Sequence, residues 1–125
     1  IVYETETLKD VMTGTVHEMV KDKRVTGIVC YNDKIVIDLL DIIWSYGFNV
    51  PNDFSIVSHD NSDLSEMTKV HFTSVEHPKI ELGSLAARKV IESIEEGNAE
   101  IESTMYESEL NKKSSVRTLD LEDSK

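Results

Sequence analysis

The chain has 125 residues, with 24 acidic side chains against 13 basic ones and a formal net charge of −11 at pH 7. This length supports one ordinary domain and excludes a second full one. The acidic balance excludes a nucleic-acid-binding surface on this chain, because phosphate binding needs clustered lysine and arginine.

The apolar pattern predicts strands and helices that alternate along the chain. The predicted elements are a strand at 1–3, a helix over 8–21, a strand over 28–30, a helix over 34–46 closed by Gly47, a strand over 54–58, a short helix or loop over 61–69, a strand over 72–75, a helix from 77–78 to Gly97 and a strand over 104–110. Short apolar runs bounded by turn residues are typical of central parallel strands. The sequence therefore predicts an α/β fold with a parallel sheet flanked by helices.

The predicted helix over 34–46 carries more apolar residues than contact with one sheet requires. We expect part of this helix to meet another subunit.

The single cysteine, Cys30, cannot form an internal disulfide, and its apolar run predicts a buried, inert thiol. A cytoplasmic protein is expected, since no signal peptide or membrane-spanning run occurs, although the start at Ile1 leaves a removed N-terminus open.

Polar side chains stand at the predicted carboxyl ends of two strands. Asn32 follows the strand over 28–30, and Asp60 follows the strand over 54–58. Ligands of open α/β sheets bind at these strand ends. The Asn32 amide suits hydroxyl groups that both donate and accept, and the Asp60 carboxylate can accept from two neighbouring hydroxyls. The alternatives are that Asn32 or Asp33 caps the next helix, for which we assign mainly Asp33, and that Asp60 bonds its own backbone in a turn.

The order of motifs resembles the effector-binding domain of LacI/GalR-type bacterial transcriptional repressors over roughly residues 25 to 115. The motifs are Tyr31-Asn32-Asp33, an apolar helix, Gly47, Val50-Pro51-Asn52-Asp53-Phe54-Ser55-Ile56-Val57, His59-Asp60-Asn61, Thr73-Ser74-Val75, His77-Pro78 and Leu82-Gly83. The segment 75–79, with Ser108-Glu109-Leu110, Ser115 and Arg117, resembles arabinose repressors more narrowly.

The resemblance implies a type I periplasmic-binding-protein-like fold. In it, residues 1–75 would form the second-lobe core and residues 76–125 would return toward the first lobe. A sugar effector, with L-arabinose as the candidate, would bind between the lobes against Asn32, Asp60 and Asn61. The resemblance also implies a homodimer through Ile37 and Met67, and DNA binding only through a missing N-terminal head. The alternative function is a periplasmic sugar-binding receptor of the same fold.

Some residues depart from the family pattern, namely Ser58, His59, Asn61 and Val36. We expect these departures to border the pocket, which leaves the sugar open. The four histidines, His17, His59, His71 and His77, show no spacing that pairs two of them on one helical turn, so no metal site is expected.

No phosphate loop, nucleophile elbow or Cys-His arrangement indicates catalysis, and we expect no cofactor and no enzyme activity. A receiver-like phospho-acceptor or small α/β enzyme using Asp60 or Asp33 is the rival from another class. This rival is disfavoured because the sequence lacks the paired lysine and the acidic magnesium cluster in the order that a receiver domain has.

Overall fold

The computed structural model describes residues 5–22, 25–97 and 103–119, so the strand predicted at 1–3 lies outside the described residues. Four helices and four strands are found in the described ranges. They are α1 (Thr5–Lys21), β1 (Gly27–Val29), α2 (Asp33–Ser45), β2 (Ser55–His59), α3 (Leu64–Met67), β3 (Thr73–Glu76), α4 (Lys79–Glu96) and β4 (Glu109–Asn111).

The strands form one sheet in the order β1-β2-β3-β4. The first three strands run parallel, which confirms the predicted α/β fold. The strand β4 corrects that prediction, since it is shorter than expected and runs antiparallel to β3, with Glu109 opposite Glu76. The first residue of β4, Glu109, pairs with the last residue of β3, so the chain enters β4 at the end where β3 finishes.

The core lies between α2, the sheet and α1. The α2 side chains Val36, Leu40 and Ile43 are almost completely buried, as are Ile56 on β2 and Phe72 before β3. Met12 and Val16 of α1 join the same apolar cluster. The helix α1 therefore covers part of the apolar surface of α2 that the sequence assigned to another subunit.

Both ends of α2 are closed by local hydrogen bonds. The Asn32 side-chain oxygen accepts from the Ile35 amide at 3.0 Å and caps the first turn. Gly47 has a φ of 81°, which only glycine adopts without strain, and its amide donates to the Trp44 carbonyl at 2.9 Å. The Phe48 amide donates to Ile43 at 3.2 Å, so the helix ends in a Schellman motif. The predicted stop at Gly47 is confirmed.

The C-terminal segment is built into the sheet through Ser115. Its hydroxyl accepts from the Thr73 amide at 2.8 Å and donates to the Ile56 carbonyl at 2.5 Å. The Ile56 amide in turn donates to the Ser115 carbonyl at 2.9 Å. Ser115 is completely buried and bridges β2 and the start of β3. The strand β4 thus belongs to the same sheet as β2 and β3, and Ser115 is hydrogen-bonded to both of those strands.

The helix α4 differs from the other long helices because none of its residues is buried. Its predicted apolar face, which includes Leu82, Val90 and Ile94, is exposed, with Ile94 at 75%. The left-handed Gly97 ends this helix as predicted. Within the described ranges, no helix combines the length and the apolar character needed to cross a bilayer.

Replacing the buried hydroxyl should weaken the fold. We expect Ser115→Ala to lower the free energy of unfolding by about 1–3 kcal/mol, because it leaves the Thr73 amide and the Ile56 carbonyl without this partner. Ser114→Ala is the matched control, since Ser114 is exposed and its hydroxyl bonds only the His71 carbonyl. Urea unfolding of both variants of the full-length protein measures the difference, and equal stabilities would contradict the bridging role of Ser115.

Candidate functional site

The carboxyl ends of β2 and β3 meet at one edge of the sheet and border a cavity of about 470 Å³. Asp60 and Asn61 follow β2, and His77 follows β3. The cavity is lined by Asp60, Asn61, Glu76, His77, Pro78, Lys79, Ile80, Glu81, Glu107 and Glu109. The structure therefore brings two of the three predicted site residues together where a parallel sheet usually binds ligands.

The chain turns sharply where β2 ends. Asp60 has a φ of 105° and Asn61 a φ of 40°, the two non-glycine residues with positive φ among those described. Such conformations cost free energy and persist only where surrounding contacts impose them. The Asp60 amide is held by the Val75 carbonyl at 2.9 Å, and Lys79 Nζ donates to the Asp60 carbonyl at 2.9 Å. These contacts turn the Asp60 side chain toward the cavity edge.

The Asn61 side chain is held from both ends of its amide group. Its Nδ2 donates to Glu76 Oε2 at 3.0 Å, and its Oδ1 accepts from Lys113 Nζ at 3.0 Å. Lys113 also forms an ion pair with Glu66 Oε1 at 3.3 Å. One N–H of the Asn61 amide remains for a ligand. Lys113 thus carries a role in the site that the sequence did not reveal.

The buried carboxylate of Asp33 binds the loop that follows β2. Asp33 is only 1% exposed, and it accepts hydrogen bonds from the hydroxyls of Ser58, Ser74 and Ser62 and from the Ser62 amide. Burial alone would raise the pKa of Asp33, but these hydrogen bonds outweigh it and hold the pKa below its usual value. Asp33 is therefore ionised at neutral pH.

Through these serines, Asp33 is connected to residues 61–62 in the loop that follows β2. The Ser74 hydroxyl donates to Asp33 Oδ1 at 2.9 Å and accepts from the backbone amide of Asn61 at 3.0 Å. The Ser62 amide and hydroxyl bind Asp33 Oδ2 at 2.6 and 2.8 Å. We name Asp33, Ser58, Ser62 and Ser74 the aspartate–serine network. It fixes the backbone of residues 61–62 beneath the cavity.

The assignment of the helix cap to Asp33 is wrong, because Asn32 provides the cap and Asp33 is the first helical residue. A carboxylate at that first position can point into the sheet, and the serines of β2 and β3 provide its partners. Asn32 does not line the cavity of about 470 Å³. Effector contact by Asn32 stays a prediction that its capping bond does not support.

Two of the expected pocket-bordering departures lie elsewhere. Ser58 is 2% exposed inside the aspartate–serine network, and Val36 is completely buried in the apolar core. Only Asn61 of the four departures lines the cavity, while His59 lies beside it.

Cys30 is buried as expected, and burial raises the pKa of its thiol to about 11, which keeps it protonated and unreactive at neutral pH.

Two histidines that are far apart in sequence meet beside Asp60. His77 Nε2 lies 2.9 Å from His59 Nδ1, and the two rings are 4.0 Å apart at an angle of 83°. His59 Nδ1 is also 3.9 Å from Asp60 Oδ1. The spacing rule for helices missed this pair because His59 and His77 end adjacent strands. Treating the two strand ends as neighbours would have found it.

The charge of the cavity limits what it can bind. Five of its lining residues are carboxylates, and Lys79 is the one cationic side chain among those that line it. A negative lining disfavours phosphates and other anions, whereas neutral hydroxyl groups can donate hydrogen bonds to carboxylates. The arrangement suits a neutral polyol or a cation.

Removing the charge of Asp33 should destabilise the protein in a pH-dependent way. We expect Asp33→Asn to lower the free energy of unfolding at pH 7 by about 2–3 kcal/mol, since its amide would face hydroxyl donors. Because the folded pKa is lowered, the wild-type stabilisation is complete above the unfolded value of about 3.9 and is lost as pH falls through the folded pKa.

The control for this substitution is Asp41→Asn, an exposed aspartate on the same helix. Chemical unfolding of the full-length protein between about pH 3 and pH 7 compares the two variants with wild type. An Asp33→Asn variant would contradict the role of the aspartate–serine network if it is as stable as Asp41→Asn and its free energy of unfolding depends on pH as that of wild type does.

Comparison with known proteins identifies the family of this chain. The model of the periplasmic binding protein-like domain matches residues 2–116. The arabinose metabolism transcriptional repressor of Halalkalibacterium halodurans is 41% identical over 98 residues, which cover 77% of this chain and 26% of that repressor. The corresponding repressor of Geobacillus stearothermophilus is 38% identical over 100 residues, covering 79% of this chain and 28% of that protein.

A solved structure shows the same fold. The LacI family transcriptional regulator from Enterococcus faecalis V583, determined with bound ribose, matches with a TM-score of 0.80 and 28% identity, covering 90% of this chain and 42% of that chain. The chain thus spans about a quarter of the length of the two curated repressors that it matches. It belongs to the periplasmic binding protein-like domain family and is similar to its LacI-type transcriptional regulators.

Proposed function

We propose that the chain is the sugar-sensing part of a LacI-type transcriptional repressor, in which a sugar binds at the cavity edge against Asp60 and Asn61. The observation that carries the proposal is the placement of Asp60 and Asn61 on a rigid turn at the meeting point of parallel strand ends. A carboxylate there accepts hydrogen bonds from two adjacent hydroxyls, and the Asn61 amide adds a donor.

L-arabinose is the candidate effector. Its support is the similarity to two arabinose metabolism repressors at 41% and 38% identity, together with the acidic lining that suits a neutral polyol. The regulator with bound ribose supports a sugar more generally. The alternative of a periplasmic receptor finds less support, because the curated relatives and the solved structure reported above are transcriptional regulators.

The division into a second-lobe core over 1–75 and a return over 76–125 needs one refinement in this proposal. The exposed apolar face of α4 suits packing against a first lobe, whereas β4 pairs with β3 and Ser115 bonds β2 and β3, which would keep both with the second lobe. The sugar would bind between the lobes and favour their closed arrangement. Its differential affinity for the two arrangements would supply the free energy that changes DNA binding by an N-terminal head. Such a repressor would act in the cytoplasm and catalyse no reaction.

The test of the sugar site is Asp60→Ala in the full-length protein. We expect loss of sugar binding with an unchanged fold, because Asp60 is partly exposed at a strand end and contributes little packing. Isothermal titration calorimetry against a panel of pentoses and hexoses measures the affinity. Asp63→Ala, which removes an exposed carboxylate three residues away, should bind as wild type. Unchanged affinity of Asp60→Ala for the sugar that binds wild type would remove Asp60 from the site.

We further propose a homodimer whose interface includes Ile37 and Met67. Met67 ends α3 with 75% of its surface exposed, and Ile37 is half-buried on the neighbouring α2. Two apolar side chains on neighbouring helices, one of them exposed, support the homodimer that the resemblance implies.

A charge at Met67 should separate the dimer. We expect Met67→Glu to weaken association by about 3 kcal/mol, roughly a hundredfold in dissociation constant, because an unpaired carboxylate would be buried. Thr15→Glu places the same charge at an exposed site on α1 and should leave the dimer intact. Sedimentation velocity of the full-length proteins decides. A monomeric wild type, or equal dissociation of both variants, would contradict the proposed interface.

A further inference from the structure

We propose that His59, Asp60 and His77 together bind one first-row transition-metal ion of the zinc type at the edge of the cavity. Each residue offers one donor atom, and the three donors lie within 4.8 Å of one another. Two imidazole nitrogens and a carboxylate oxygen are a donor set found in zinc sites with one open position. Magnesium and calcium prefer sites made of oxygen ligands only.

Two of the three distances between the donors are close to those of a tetrahedral site. Donor atoms bound to one Zn²⁺ at about 2.0–2.1 Å are separated by about 3.3 Å in tetrahedral geometry. The two histidine nitrogens are 2.9 Å apart, and His59 Nδ1 is 3.9 Å from the Asp60 oxygen. Changes of about half an ångström bring these two separations to the tetrahedral value. The donors of His77 and Asp60 lie within 4.8 Å of each other.

The sheet itself places these donors. His59 is the last residue of β2 and pairs with Val75 of β3, two residues before His77. The same Val75 carbonyl holds the Asp60 amide at 2.9 Å. His59 thus lies on a strand, and Asp60 and His77 directly follow two paired strands, so the sheet limits how far the three ligands can move apart. The near-perpendicular rings already direct His59 Nδ1 and His77 Nε2 at each other.

The surroundings favour a cation that can enter from water. The side chains of His59 and Asp60 are both 40% exposed. Four glutamates, namely Glu76, Glu81, Glu107 and Glu109, line the adjoining cavity, while Lys79 is the one ammonium group among its lining residues. Binding needs one proton to leave the nitrogen–nitrogen hydrogen bond. A change of tautomer moves it to the far nitrogen of the same ring, so both imidazoles stay neutral ligands.

The test begins with Zn²⁺ alone, titrated calorimetrically into the full-length protein after removal of any affinity tag. We expect one ion per chain, with affinity reduced more than about tenfold in His59→Ala and in His77→Ala, since even loss of an outer hydrogen-bond partner costs a metal site that much. His71→Ala is the matched control, because His71 is exposed and outside the cluster, and it should bind as wild type.

Cobalt provides a readout of geometry. Co²⁺ bound by two nitrogens and an oxygen in tetrahedral geometry should give visible absorption bands in wild type and His71→Ala that are absent from both cluster variants. Thermal unfolding checks each fold, and His59→Gln and His77→Gln replace any alanine variant that does not fold. No binding at millimolar Zn²⁺, or equal binding by wild type and the cluster variants, would overturn the metal site.

A second arm concerns the sugar and rests on the proposed function. The proposed sugar site uses both Asp60 oxygens and the ion would occupy one of them, so Zn²⁺ should raise the apparent dissociation constant for L-arabinose in wild type but not in His77→Ala. An unchanged sugar affinity with the ion bound would overturn the sharing of Asp60. Absence of sugar binding with normal zinc binding would instead count against the proposed function and leave the metal site standing.

Discussion

Burying a carboxylate is costly unless hydrogen bonds replace the water that it loses, and Asp33 meets this requirement with hydroxyl and amide donors from three separate parts of the chain. The partners are Ser58 on β2, Ser74 on β3 and Ser62 in the loop between them. One buried charge thus connects the start of α2 to two central strands. The same contacts hold the backbone beneath Asp60 and Asn61, so the core and the site depend on one network.

The site also depends on segments that arrive late in the chain. Lys113 donates to the side-chain oxygen of Asn61, and Ser115 bonds the same C-terminal segment to β2 and to the start of β3. Glu109 places a carboxylate at the cavity from β4. The strand ends alone would leave this edge of the sheet open. The candidate site therefore combines two parallel strand ends with a segment that returns to them after α4.

Local patterns predicted the elements well, and contacts between distant residues account for the differences. The apolar run before Asn32, the stop at Gly47 and the run over 54–58 each depend on near neighbours, and the structure contains all three. The partners of Asp33 lie 25 to 41 residues away, which no local pattern contains. Its position at the start of the predicted helix therefore led to its wrong assignment as the helix cap, which Asn32 provides. The direction of β4 likewise depends on the path after α4.

The central claim is that the aspartate–serine network fixes residues 61–62 and so supports the turn on which Asp60 meets a sugar. A crystal structure of the full-length protein with L-arabinose tests it most directly. We expect each Asp60 carboxylate oxygen within about 3.0 Å of one of two neighbouring sugar hydroxyls, with Asp33 still bonded to its serines. A sugar bound without contact to Asp60, or bound while the Asp33 contacts are broken, would contradict the account.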